Sequence, residues 1–144
     1  MKLSYEVKTR YITRNDMDRI SEIDYESGNN IEAVFKSTEV VNGMVAVNDT
    51  DDVIGFCIYS LENPETFNIL HLEVDDRFYR QGIATKLIDR MKSKLNDKRN
   101  VLEYEVHESY LAMHLFLKKM KFKAIVLRNR EEEDIFKFTY MEQK

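Results

Sequence analysis

The chain has 144 residues, a formal net charge of −4, 43% hydrophobic residues and 33% charged residues. That length suits one domain with a sizeable core, and the composition is that of a folded protein rather than a disordered one. The acidic balance argues against a protein that grips nucleic acid through general basic charge.

The single cysteine, Cys57, falls inside a predicted strand and cannot form an internal disulfide, so it reads as core packing in a reducing compartment. No apolar run spans a bilayer, and the N-terminus lacks the apolar region of a signal peptide. The expectation is a cytoplasmic protein with no membrane partner, a monomer or a homodimer. One proline and four glycines leave nothing that resembles a linker or a repeat.

In chain order, Tyr5 to Ile12 alternates as a first strand. Thr13 or Asn15 then caps a helical pattern whose inward residues are Met17, Ile20, Ile23 and Tyr25. Ser27 to Asn30 breaks it, and Ile31 to Lys36 reads as a second short helix. Val40 to Val47 reads as a strand interrupted near Asn42-Gly43. Asn48 to Asp52 is a hairpin turn, and Val53 to Leu61 is the next strand. Glu62 to Glu65 turns the chain into a central strand, Phe67 to Val74.

Ile83 to Leu95 carries Ile83, Leu87, Ile88, Met91 and Leu95 at helical spacing. Val101 to Val106 is a strand that the intervening helix makes parallel to the central one. Tyr110 to Met120 is helical, with Leu111, Ala112, His114 and Leu115 expected inward. Two closing strands, Lys123 to Leu127 and Ile135 to Met141, flank the acidic turn Glu131 to Asp134. The order is βααβββαβαββ, an α/β fold with a mixed sheet.

The informative stretch lies between the central strand and its helix. A strand that ends in a glycine turn and opens into a helix presents free backbone N–H groups and the positive end of the helix dipole, which suits a phosphate. Gly82 allows close backbone approach, and Ala84 keeps the first helical turn slim. The turn lacks both the P-loop run and the three-glycine dinucleotide fingerprint.

The segment Tyr79-Arg80-Gln81-Gly82-Ile83-Ala84 instead resembles the Q/R-x-x-G-x-G/A motif of the GNAT superfamily of acetyl-CoA-dependent N-acetyltransferases, with Tyr79 in place of the usual Gln or Arg. Tyr110 to Phe122 is similar to a second, weaker family stretch, with Leu117 where a tyrosine is usual. The element order is also the family's, and the resemblance covers roughly Tyr5 to Met141, so the chain is expected to be one acetyltransferase domain over residues 1–144.

The resemblance implies acetyl-CoA as co-substrate. Backbone groups of Leu72 and Val74 would run alongside its pantetheine arm, and those of Arg80, Gln81, Gly82, Ile83, Ala84 and Thr85 would surround its pyrophosphate. Arg77 and Lys86 are candidates for the outer phosphates. The acceptor would be a primary amine. The ribosomal-protein-alanine N-acetyltransferase branch, which this chain resembles at Tyr104-Glu105-Val106, points to a protein N-terminus. A small-molecule amine acetyltransferase and a non-catalytic acyl-CoA-binding or sensing domain stand as alternatives.

Transfer requires that the amine lose a proton before attack. Alternation puts His71 and Glu73 on one face of the central strand, and Glu103, Glu105 and His107 on one face of the next. If register permits, Glu73 and Glu105 converge near the strand ends. By resemblance Glu105 is the base. In that branch a tyrosine at the position of Leu117 is the acid. Tyr110 and His114, on the same helical stripe, are the candidates to replace it. No metal site is expected, because His71, Glu73, Glu105 and His107 have no diagnostic ligand spacing.

Overall fold

The computed structural model describes residues 6–26, 41–127 and 134–142, with the side chains of Tyr25 and Glu26 left aside. The second short helix expected over Ile31 to Lys36, the break at Ser27 to Asn30 and most of the acidic turn Glu131 to Asp134 lie outside these residues. The chain divides into two compact units, one of residues 1–59 and 71–90, the other of residues 60–70 and 91–144.

The strands are β1 (Lys8–Tyr11), β2 (Asn42–Val47), β3 (Val53–Ser60), β4 (Thr66–Val74), β5 (Val101–His107), β6 (Lys123–Leu127) and β7 (Ile135–Met141). Among the described residues the α-helices are α1 (Met17–Glu26), α2 (Ile83–Ser93) and α3 (Leu111–Lys119). The sheet runs β1-β2-β3-β4-β5-β7-β6. It is mixed: β4 and β5 are parallel, while β1–β2, β2–β3, β5–β7 and β6–β7 are antiparallel. The last strand in sequence therefore inserts between β5 and β6.

In the first unit, α1 turns Ile20 and Ile23 into a core with Val45, Val47, Val53, Phe56 and Ile58. Thr13 precedes a short 3-10 turn, Arg14–Asp16, where the Asp16 carboxylate accepts from the Thr13 N–H at 2.7 Å and from Arg10 Nη1 and Nη2 at 2.8 and 2.9 Å. Gly43 does not interrupt β2, contrary to the sequence expectation. It pairs with Ile58, and a Cβ there would meet the Cys57 carbonyl oxygen at 2.9 Å, so the glycine lets adjacent strands close. Cys57 is buried in β3, and burial pushes its thiol up to about 12.

In the second unit, β5 and β7 share a seven-residue register from Val101↔Met141 to His107↔Ile135. Leu102, Val106, Leu117, Phe122 and Phe138 are buried. The inward face of α3 differs from expectation: His114 and Leu117 are buried, whereas Leu111 and Leu115 are 65% and 62% exposed and Ala112 is exposed. The helix is apolar on most of its circumference, so spacing alone did not select the buried stripe. Lys92 donates to the Met120 carbonyl at 2.6 Å and lies 4.1 Å from the centre of the Tyr140 ring, which ties the helix end down.

Candidate active site

The first unit carries the strand–turn–helix element. Strand β4 ends at Val74, and Asp75 follows, fully buried. The Asp75 N–H donates to the Ile54 carbonyl at 2.9 Å, and its own carbonyl accepts the Phe78 N–H at 2.8 Å. That second bond closes a 3-10 turn over Asp76–Phe78 within the expected strand-to-helix turn. The Asp75 carboxylate accepts the Arg77 backbone N–H at 3.0 Å, Arg77 Nε at 3.1 Å and Arg77 Nη2 at 2.7 Å, and it is also hydrogen-bonded to Arg19 Nη2. The Arg77 guanidinium, with Arg19 beside it, holds this carboxyl well below the usual carboxylate range. Arg77, a candidate for outer-phosphate contact, is thus committed to Asp75 while its side chain stays 71% exposed.

Beyond Tyr79 the backbone turns left-handed twice, at Arg80 (φ 62°) and Gly82 (φ 79°). Such φ values suit glycine and are uncommon for arginine. A Cβ on Gly82 would meet nothing within 4 Å, so the turn faces open space at that point. The first helical bond is Lys86 N–H to the Gly82 carbonyl at 3.1 Å. The N–H groups of Ile83, Ala84 and Thr85 precede it, and by helix geometry they have no intrahelical acceptor.

Helix α2 is seated by Gly55 in β3, where a Cβ would come within 3.0 Å of Ile83 Cγ2, 3.1 Å of the Glu73 carbonyl oxygen and 3.4 Å of Leu87 Cδ1. The buried side chains of Ile83, Leu87 and Ile88 fix the helix, and its N-terminal N–H groups stay at the turn. Of the residues expected to line the pantetheine arm, Leu72 is buried and Val74 half-buried in β4. His71 and Glu73 occupy the alternate positions of the same strand and are half-buried. Burial pushes the His71 imidazole down, and the charge of Asp24 acts against that shift.

The second unit holds the remaining candidates. The parallel pairing of β5 with β4 runs from Val101↔Thr66 to Tyr104↔Ile69, and β5 continues to His107. Glu105 lies in that continuation, exposed, with Lys137 of β7 as its register partner. Lys137 forms its ion pair with Glu103, at 3.2 Å. Tyr110 and His114 meet at the end of β5. The His107 carbonyl accepts the Tyr110 N–H at 3.1 Å and lies 2.8 Å from His114 Nε2, which is therefore the protonated ring nitrogen. The His114 ring is buried against the edges of Phe136 and Phe138, with centroids at 4.7 and 5.1 Å. Tyr110 is 55% exposed and occupies the N-cap position of α3, with no side-chain cap bond. Leu117, at the position where the family resemblance places an acid, is fully buried.

Sequence reasoning missed Gly55, Asp75 and Arg19. A glycine inside a strand pattern signals close backbone approach, which was the available clue for Gly55. Asp75 and Arg19 are far apart in sequence and left no local pattern. Among the described residues, no cluster of three or more His, Cys, Asp or Glu side chains could hold a metal ion. No helix among them is long and apolar enough to cross a membrane.

A family model described as an acetyltransferase (GNAT) domain matches residues 23–144. No curated protein sequence matches the chain. Among solved structures the chain is similar to Ard1 from Thermoplasma volcanium, at 20% identity and a TM-score of 0.80 over 96% of this chain and 99% of that one. It is similar to the ribosomal-protein-S18-alanine N-acetyltransferase from Escherichia coli, at 17% identity and a TM-score of 0.80 over 94% of each chain. It is also similar to Arabidopsis thaliana NAA60, solved in complex with acetyl-CoA, at 17% identity and a TM-score of 0.77 over 95% of this chain and 100% of that one. At these identities the likeness is one of fold.

Proposed function

Because the chain belongs to the acetyltransferase (GNAT) domain family, we propose that it works as one domain that moves an acetyl group from acetyl-CoA to a primary amine, the α-amine of a protein N-terminus. The observation that carries this reading is the turn at Gly82. Two left-handed residues, Arg80 and a Gly82 that faces open space, lead directly into the start of α2. Backbone N–H groups from Arg80 to Thr85 would hold the pyrophosphate, helped by the helix dipole. Backbone groups of Leu72 and Val74 would pair with the amides of the pantetheine arm.

For the transfer itself, Glu105 takes a proton from the acceptor ammonium, directly or through water. The neutral nitrogen then attacks the thioester carbonyl. The new C–N bond forms as the C–S bond breaks, the nitrogen gives its second proton to solvent, and the thiolate leaves; solvent also returns the proton that the acid donates. Tyr110 is the group we assign to protonate that sulfur. It is exposed, whereas His114 is buried and already donates to the His107 carbonyl. Glu73 is the alternative base. No covalent intermediate is needed, which agrees with a buried, un-ionised Cys57.

One observation favours a second reading, an acyl-CoA-binding domain without turnover. Leu117 is fully buried where the resemblance places the acid. Calorimetry with acetyl-CoA, followed by an assay of CoA release over a panel of N-terminal peptides and small amines, separates the readings. The expected result is binding, with release that depends on a peptide α-amine. Release only with small amines would move the acceptor class. Binding without release over the whole panel would favour the sensor, and no binding would overturn both readings.

A further inference from the structure

We infer that Asp75 is a positioning residue for the anion-holding turn, gathering Arg19 from α1 and Arg77 from the turn onto one buried carboxylate. Its use of the turn rests on the proposed acetyl-CoA reading. The ordering itself does not.

A carboxylate removed from water must be paired and hydrogen-bonded to remain charged. Asp75 meets that condition through four donors, three from Arg77 and one from Arg19. Each guanidinium reaches a different part of the unit. Arg19 Nε also donates to the Val53 carbonyl of β3 at 3.1 Å, and Arg19 Nη1 pairs with Glu22 one turn along α1 at 3.3 Å. Arg77 sits in the 3-10 turn that Asp75 caps. The backbone of Asp75 is meanwhile bonded to Ile54 of β3. One residue thus joins α1, β3 and the entry to the left-handed segment.

That segment needs holding. Arg80 at φ 62° is a non-glycine residue in the left-handed region, a conformation that L side chains disfavour. On its far side the segment is fixed by the seating of Ile83 against Gly55. On its near side the fixed point is Asp75.

Charge and geometry make opposite forecasts for Asp75→Asn. The substitution removes a negative charge from beside the turn. If Asp75 acted only through its field, an anionic ligand would bind more tightly. An amide offers a single acceptor oxygen, however, and cannot receive both guanidinium groups and the Arg77 N–H. If Asp75 positions the turn, binding weakens despite the gain in positive charge. An affinity reduced ~10-fold corresponds to a competent turn populated about one-tenth of the time.

The test is calorimetry with CoA together with amide hydrogen exchange of the ligand-free protein, on wild type, Asp75→Asn and Arg19→Met. The expected result for Asp75→Asn is a Kd at least ~10-fold higher and faster exchange over residues 76–85. Arg19→Met should follow in the same direction by a smaller factor; because loss of its charge alone also weakens anion binding, its exchange over residues 76–85 decides the matter if Asp75→Asn does not fold. In turnover, KM for acetyl-CoA should rise while kcat at saturation stays within about twofold, because the substitution changes ground-state and transition-state binding alike. Tighter or unchanged CoA binding with unchanged exchange in folded variants would overturn the inference. If wild type binds no CoA, the functional reading fails, and the exchange data still decide whether Asp75 orders the turn.

Discussion

Gly55 and Ile83 stand so close that a single added carbon on the glycine would lie 3.0 Å from Ile83 Cγ2. The same carbon would lie 3.1 Å from the Glu73 carbonyl oxygen, which is backbone and cannot swing aside. Gly55→Ala should therefore lift the first turn of α2 away from β3. Overpacking of this kind typically destabilises by about 1–3 kcal/mol. The expected outcome is a lower Tm and weaker acetyl-CoA binding together, checked by thermal denaturation and calorimetry on the same preparation. An unchanged Tm would show that α2 is less tightly seated than the contact implies.

Gly82 offers the complementary case. Nothing lies within 4 Å of a Cβ there, so no packing opposes a side chain. The penalty of Gly82→Val in the free protein is conformational, about 1–2 kcal/mol for a left-handed residue. Its effect on ligand binding is separate. The side chain would occupy the space through which the backbone approaches the pyrophosphate, and affinity should fall ~10-fold or more, about 1.4 kcal/mol. Calorimetry on the folded variant measures this directly, and unchanged affinity would remove the pyrophosphate from this turn.

The proton path is tested at Glu105 and Tyr110. Glu105→Gln keeps the shape and loses the base, so kcat should fall at least ~10-fold with acetyl-CoA affinity nearly unchanged. The deficit should shrink as pH rises and free amine becomes abundant. A full rate with an unaltered pH profile would move the base to Glu73. Tyr110→Phe should lower kcat, whereas His114→Phe should lower stability by about 1 kcal/mol, the worth of its hydrogen bond to the His107 carbonyl, with kcat retained.

Acid stability follows from Asp16. Its hydrogen bonds to Arg10, opposed by burial and aided by Thr13, hold its carboxyl below the usual range in the folded state. The unfolded chain therefore binds the proton more readily. The stabilisation is fully present above the unfolded carboxylate value of about 4, and it is lost as pH falls through the lower folded value. Asp16→Asn should lower Tm at neutral pH and flatten its decline in acid. A parallel decline in both proteins would mean that the Arg10 pair contributes nothing measurable.

Among the described residues, the element order and the strand–turn–helix at Gly82 were legible in the sequence because both depend on local chemistry. A dense run of β-branched and apolar residues marks β4, helical spacing marks α2, and a glycine between them marks the turn. The inward face of α3 was not legible, because Leu111, His114, Leu115 and Leu117 offer more than one apolar stripe and packing chose among them. The insertion of β7 between β5 and β6 leaves no trace in either strand's own pattern. The grip of Asp75 on Arg19 joins residues 56 positions apart, and such a pairing exists only once the fold has formed.

The burial of Cys57 has a practical consequence at the bench. It is the chain's single thiol, and burial leaves it protonated and out of reach. Thiol-reactive dyes act on thiolates. In an assay of the native protein, colour from such a dye would report the sulfur released from the thioester and nothing from the protein itself. The slow appearance of one further equivalent would time the opening of β3, giving an unfolding clock built into the same cuvette.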